Sequence, residues 1–161
     1  MKKHDKSFYL ENLKSSHRKL EELLSHINPQ QEVYPGWTIR EILAHITGWD
    51  EVVLDAIHSH ILLKEISYPY SNDLDAFNVI SIQKREGLTL ELITKEWRFT
   101  RDVLIKLIEQ MAEDKYSSPF SGPWNRKTKI EKVLLILSEH ELDHAEDIFN
   151  YVRGNNREPL I

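Results

Sequence analysis

Apolar residues recur every three or four positions along four long stretches of this chain, a period that helices satisfy and strands do not. The first stretch runs from about Lys6 to Ile27, with Leu10, Leu13, His17, Leu20, Leu24 and Ile27 on one stripe. The second runs from Thr38 to about Leu63, with Ile39, Ile42, Ile46, Trp49, Val53, Ile57 and His60 on its stripe and His45 on the flank. The third, from near Thr89 to near Met111, carries Ile93, Trp97, Thr100, Val103, Leu104, Leu107 and Met111. The fourth opens at Thr128 and runs to Arg153, with Ile130, Val133, Leu134, Leu137, Ile148 and Val152 facing inward. Helices of this length span about 30–35 Å.

The breakers agree with that division. Five Gly and six Pro cluster between the periodic stretches. Asn28-Pro29 ends the first helix, and Tyr34-Pro35-Gly36-Trp37 lies in the loop after it. Thr38-Ile39-Arg40-Glu41 is a capping-box sequence, and Thr128-Lys129-Ile130-Glu131 is a second. A break at residues 67–72 precedes a short helical piece, about Asp73 to Lys84, which Glu86-Gly87 ends. Residues 113–127 read as a loop, Gly154 as the stop of the last helix, and the tail through Pro159 as loosely held. No alternating run argues for a sheet. The expected fold is all-α: a four-helix bundle with a short extra helix between helices two and three, one domain over 1–161. The two long connections leave its topology open.

With no cysteine, the chain has no disulfide, thiolate ligand or cysteine nucleophile, which is compatible with a cytoplasm. The net charge of −5, without a concentrated basic patch, argues against nucleic acid and anionic membranes as partners. No apolar run reaches bilayer-spanning length, and no apolar signal core follows the basic start. A cytoplasmic protein is expected.

His140-Glu141-Leu142-Asp143-His144 lies in the last helix. Histidines four apart stack on one helix face and can grip one divalent cation. At about 100° per residue, His144 projects near the middle of the apolar stripe, His140 near its edge, and Glu141 inward too. Buried imidazoles and a buried carboxylate are costly unless paired or metal-bound. Core histidines bonded to backbone or to Glu141 are the plain alternative. For a third ligand His45 leads, with His17 and His60 as rivals on apolar stripes; His58 projects outward, His26 sits near a helix end and His4 in the tail. His-Glu-x-x-His is also the zinc-protease signature. No sheet edge is expected here to hold a peptide, and Ala145-Glu146-Asp147 follows in place of a further ligand motif. Glu141 or Asp50 is the candidate catalytic carboxylate, orienting an imidazole or moving a proton. Trp37, Trp49 and Trp124 are candidate pocket walls, with ordinary packing as their alternative.

Residues 35–50, Pro35 through His45 to Asp50, resemble the second-helix signature of DinB/YfiT-like proteins, and residues 140–148 resemble the family's last-helix signature. Asp75-Ala76-Phe77-Asn78 is similar to a segment of the branch related to ClbS/DfsB and the maleylpyruvate isomerase N-terminal domain. The resemblance implies a four-helix bundle, often a homodimer, with a metal triad at His45, His140 and His144 and zinc or nickel as the ion. It implies metal-dependent hydrolysis, or transfer of a low-molecular-weight thiol to a small electrophile. One branch opens reactive rings without this triad. A non-enzymatic bundle that binds or sequesters a small molecule, its triad structural or vestigial, is the competing class.

Overall fold

The computed structural model describes residues 5–69 and 73–155; the expectations for His4 and for the tail through Pro159 lie outside them. Four long helices form the bundle: α1 (Lys6–Leu24), α2 (Ile39–Ile61), α4 (Leu90–Gln110) and α6 (Ile130–Asn155). The short α3 (Leu74–Gln83) lies between α2 and α4, as expected, and packs on α2. Four strands of two or three residues form two antiparallel hairpins. β1 (Glu32–Tyr34) pairs with β2 (Trp37–Thr38), and β3 (Phe120–Ser121) with β4 (Lys127–Thr128). The region read as a loop also holds α5 (Glu113–Ser117). Elements this short leave no periodic trace in sequence.

Local chemistry explains the helix ends. Asp5 caps α1 by accepting from the Phe8 amide at 3.0 Å. The capping box at Thr38 and Glu41 forms as expected, with the Thr38 amide donating to Glu41 at 2.9 Å. Several boundaries differ. α1 ends at Leu24, short of Ile27, and α2 at Ile61, short of Leu63. α6 begins at Ile130, with Thr128 paired in β4, and Gly154 does not stop it before Asn155. Shifts of this size at helix ends do not move the inward faces.

Two apolar clusters reveal the topology. One joins Leu13 of α1, Val53 and Ile57 of α2, Leu104 and Ile108 of α4, and Ile130 to Leu137 of α6. The other joins Leu20, Ile39 to Ile46, Ile93, Trp97, Ala145 and Ile148. Thus α1 runs parallel to α6 and α2 parallel to α4, while the two pairs oppose each other. The heaviest packing is within these parallel pairs. Parallel neighbours need a return path, and residues 62–89, with α3, supply the one from α2 to α4.

Between the clusters lies a buried ionic layer. The Arg101 guanidinium donates to both oxygens of Asp50, at 2.8 and 3.0 Å. Its Nη1 lies 3.0 Å from Glu141 Oε2, an ion-pair contact without hydrogen-bond alignment. Glu141 also accepts from Ser16 Oγ at 2.7 Å and Trp97 Nε1 at 3.2 Å, and His17 Nδ1 lies 3.1 Å away. Arg101, Asp50 and Glu141 are all fully buried. The group draws on all four long helices.

Gly48 sets the seat of α3. A Cβ built there would lie 2.6 Å from Ser81 Cβ and meet Ser81 Oγ as well. α2 and α3 therefore touch more closely than a side chain allows.

Arg101→Met should leave two buried carboxylates without their counter-charge. An unfolding free energy lower by about 3–5 kcal/mol is expected in urea titration; an unchanged midpoint would contradict the described layer. Gly48→Ala gains about 1 kcal/mol of helix propensity but overpacks the α2–α3 contact by about 1–3 kcal/mol. A net loss of thermal stability is expected, and adding Ser81→Gly should recover part of it.

Candidate metal centre

His45 enters from the second turn of α2; His140 and His144 stand one turn apart on α6. Because these helices are antiparallel, the early part of one meets the later part of the other. His45 Nε2 lies 2.9 Å from His140 Nε2, and His144 Nε2 lies 3.2 Å from that same atom. One ligand nitrogen from each ring lies within 4.8 Å of the others.

The donor set fits a divalent cation. In a tetrahedral site with bonds of 2.0–2.1 Å, ligand nitrogens sit about 3.3–3.4 Å apart. A neutral imidazole carries one N–H, so three nitrogens packed this closely cannot all be satisfied by each other. A cation held among them would remove the lone-pair repulsion. Burial, followed by repulsion from His140 and His144, pushes His45 down to about 3. Burial, then His144 and Arg101, pushes His140 down to about 4 against Glu141 and Asp143. Burial also lowers His144, against Asp147 and Glu141. All three rings are therefore neutral near pH 7, the form that ligates.

The other candidates fall elsewhere. His17 faces Glu141 and packs on Trp97 with ring centroids 3.9 Å apart. His60 Nε2 donates to the Lys115 carbonyl at 2.9 Å. His58 and His26 are exposed. Asp50 and Glu141 belong to the Arg101 layer, and neither lines the pocket beside the histidines. Glu141 is held below the ordinary carboxylate range: burial opposes ionisation, but Arg101 and the His17 and Ser16 contacts outweigh it. Burial, reinforced by Glu141, pushes Asp50 up to about 6 despite Arg101.

A pocket of about 470 Å³ opens on the triad, and Trp37, Trp49 and Trp124 all line it. The two hairpins supply the first and last of these, while α3 adds Leu74 and Asn78 and α6 adds Ile136, Asp143 and Asp147. Trp49 packs on Phe77 at 4.4 Å and donates to Asn78 Oδ1 at 3.2 Å. His45 Nδ1 is buried without an aligned partner, although Asn78 is near enough to oppose the fall in its pKa.

Sequence reasoning missed Tyr34 and Asp147. Tyr34 Oη lies 2.9 Å from His144 Nδ1 and donates to Asp147 Oδ2 at 2.7 Å. Burial, then Asp147, pushes the Tyr34 pKa well up, so the hydroxyl keeps its proton. Asp147 stands three residues after His144 on the same helix face, a spacing that was readable. Tyr34 is 110 residues from His144 and was not.

The sequence profile of the DinB superfamily matches residues 11–148. A search of curated proteins found no match. Three similar solved structures share the fold. DfsB, described as a sibling lethal factor precursor, has a TM-score of 0.81 at 15% identity, over 98% of this chain and 100% of that one. The colibactin self-resistance protein ClbS, in complex with a double-stranded DNA, has 0.77 at 17%, over 95% and 98%. The mycothiol-dependent maleylpyruvate isomerase has 0.74 at 15%, over 90% of this chain and 61% of that one.

The ClbS complex corrects the partner expectation. A net charge of −5 argues against nucleic acid, yet a protein of this fold is seen with DNA. Net charge sums the whole chain, whereas phosphate contact depends on local cations. The expected small-molecule partner and homodimer gain no support from that comparison. Among the described residues, no helix is long and apolar enough to cross a membrane.

Proposed function

The chain belongs to the DinB superfamily, and from that membership we propose that His45, His140 and His144 hold a divalent metal, zinc or nickel, in an enzyme that activates water or a small thiol against an electrophile. One observation carries the reading. Among the described residues the ligand group has three members and no fourth, and the three also line an apolar pocket. Three protein ligands beside an open space are the pattern of a catalytic site, whereas a structural site closes with four. When bound, a divalent ion there supplies Lewis acidity that lowers the pKa of water or a thiol toward neutrality.

The chain's own residues do the rest. Trp37, Trp49 and Trp124 exclude water from one side and offer aromatic faces to a substrate. Leu74 and Ile136 are partly exposed at the same pocket and extend the apolar surface. Among the described residues, the charged side chains in the lining are Asp143 and Asp147, with no Lys or Arg beside them. The pocket thus suits an uncharged, largely apolar electrophile better than an anionic one. A fold neighbour is described as mycothiol-dependent, which makes thiol transfer the first chemistry to assay, with hydrolysis beside it. Asp50 and Glu141 act in this reading as positioning residues, through the packing of α2 and α6, and do not touch substrate.

Metal analysis and calorimetry on untagged protein test the centre. Wild type should bind about one zinc or nickel per chain, and His45→Ala should lose that binding with helical circular dichroism unchanged. Metal content unchanged in the variant would remove His45 from the ligand set. Metal-dependent turnover of an ester, or of a thiol with an electrophile, separates an enzyme from a binding bundle.

A further inference from the structure

Tyr34 has one hydroxyl proton and two polar neighbours. Its proton goes to Asp147 Oδ2, at 2.7 Å. Toward His144 Nδ1, at 2.9 Å, the hydroxyl can then only accept. A carboxylate has no proton to give back, so the alternative arrangement would leave Asp147 without that donor. His144 must therefore carry its proton on Nδ1, with its Nε2 lone pair free. That Nε2 is the atom 3.2 Å from His140 Nε2, on the triad side of the ring.

We propose that Tyr34 and Asp147 form a positioning pair that fixes the tautomer and ring orientation of His144, so that Nε2 faces the triad before any ligand arrives. The consequence for metal affinity rests on the metal-site reading above; the tautomer itself does not. The β1–β2 hairpin thereby becomes part of the centre. Tyr34 pairs with Trp37 across its turn, Gly36 adopts φ +76° within it, and the two rings meet edge to face at 6.2 Å. One hairpin residue orients a ligand while its neighbour in the pairing walls the pocket. The Tyr34 and His144 rings also meet edge to face, at 5.9 Å, so removing the hydroxyl alone leaves their packing in place.

Long-range ¹H–¹⁵N correlation spectra of metal-free protein read the tautomer of His144 directly. Wild type should show the Nδ1–H form. Tyr34→Phe should shift the population toward Nε2–H and weaken zinc binding, measured by chelator competition, about 10–100-fold, with the circular dichroism of wild type. If Tyr34→Phe fails to fold, Asp147→Asn replaces the acceptor with a weaker one and should move the tautomer in the same direction. A wild-type His144 protonated at Nε2, or a tautomer unmoved in the folded variant, overturns the proposal. If wild type shows Nδ1–H but binds neither zinc nor nickel, the metal reading fails and the positioning pair stands.

Discussion

One guanidinium organises the interior of this bundle. Arg101 of α4 meets Asp50 of α2 and Glu141 of α6, and Glu141 reaches Ser16 of α1. Removing such charges from water is expensive, and their attraction offsets the cost only when the geometry is good and the remaining donors and acceptors are satisfied. Apolar stripes alone tolerate some rotation and sliding of one helix on another. A bidentate arginine between two carboxylates does not, because a small turn of any helix would expose or unpair a charge.

That constraint reaches the histidines through helix geometry. Glu141 is next to His140 and three residues before His144. At about 100° per residue, pointing Glu141 at the bundle axis turns His140 and His144 to one flank. On α2, His45 lies five residues before Asp50, about 140° round the helix from it, and so points to the outer side of α2 rather than at the axis. The centre thus lies beside the ionic layer, and α3 covers it from outside. The first half of α2 is consequently buried all round, from Ile42 to Gly48. A helix in an isolated bundle would expose half of that run.

What the sequence revealed follows the same division. The long helices were legible because burial on one face imposes a period of 3.6 residues, and the capping box at Thr38 because it is local. The grouping of three histidines was legible because His140 and His144 share a face and His45 had few rivals; Trp37, Trp49 and Trp124 line the cavity beside them. Arg101 was not legible, since arginine is ordinarily a surface residue and its stripe already held Thr100 and Leu104. A trace of it existed: Glu141, projecting inward, required a donor. Both hairpins were missed because strands of two or three residues are held by backbone bonds that side-chain patterns do not encode. Tyr34 went with them, because its role depends on contacts across 110 and 113 residues of sequence.

Fold likeness at 15–17% identity covers proteins with different described roles, among them a DNA complex and a thiol-dependent isomerase. The helical frame therefore does not choose the chemistry. In this chain segments outside the four long helices bring Trp37, Trp124, Leu74 and Asn78 to the pocket, beside the histidines that α2 and α6 carry. α3 is tied to the frame by the Gly48–Ser81 approach and by Trp49, which packs on Phe77 and donates to Asn78, and the first hairpin by the Tyr34 hydroxyl and the Thr38 cap. Substitutions within them can reshape the pocket with the Arg101 layer left intact. A frame fixed by buried charge, with pocket walls carried on short connections, lets one fold keep its stability while its specificity changes.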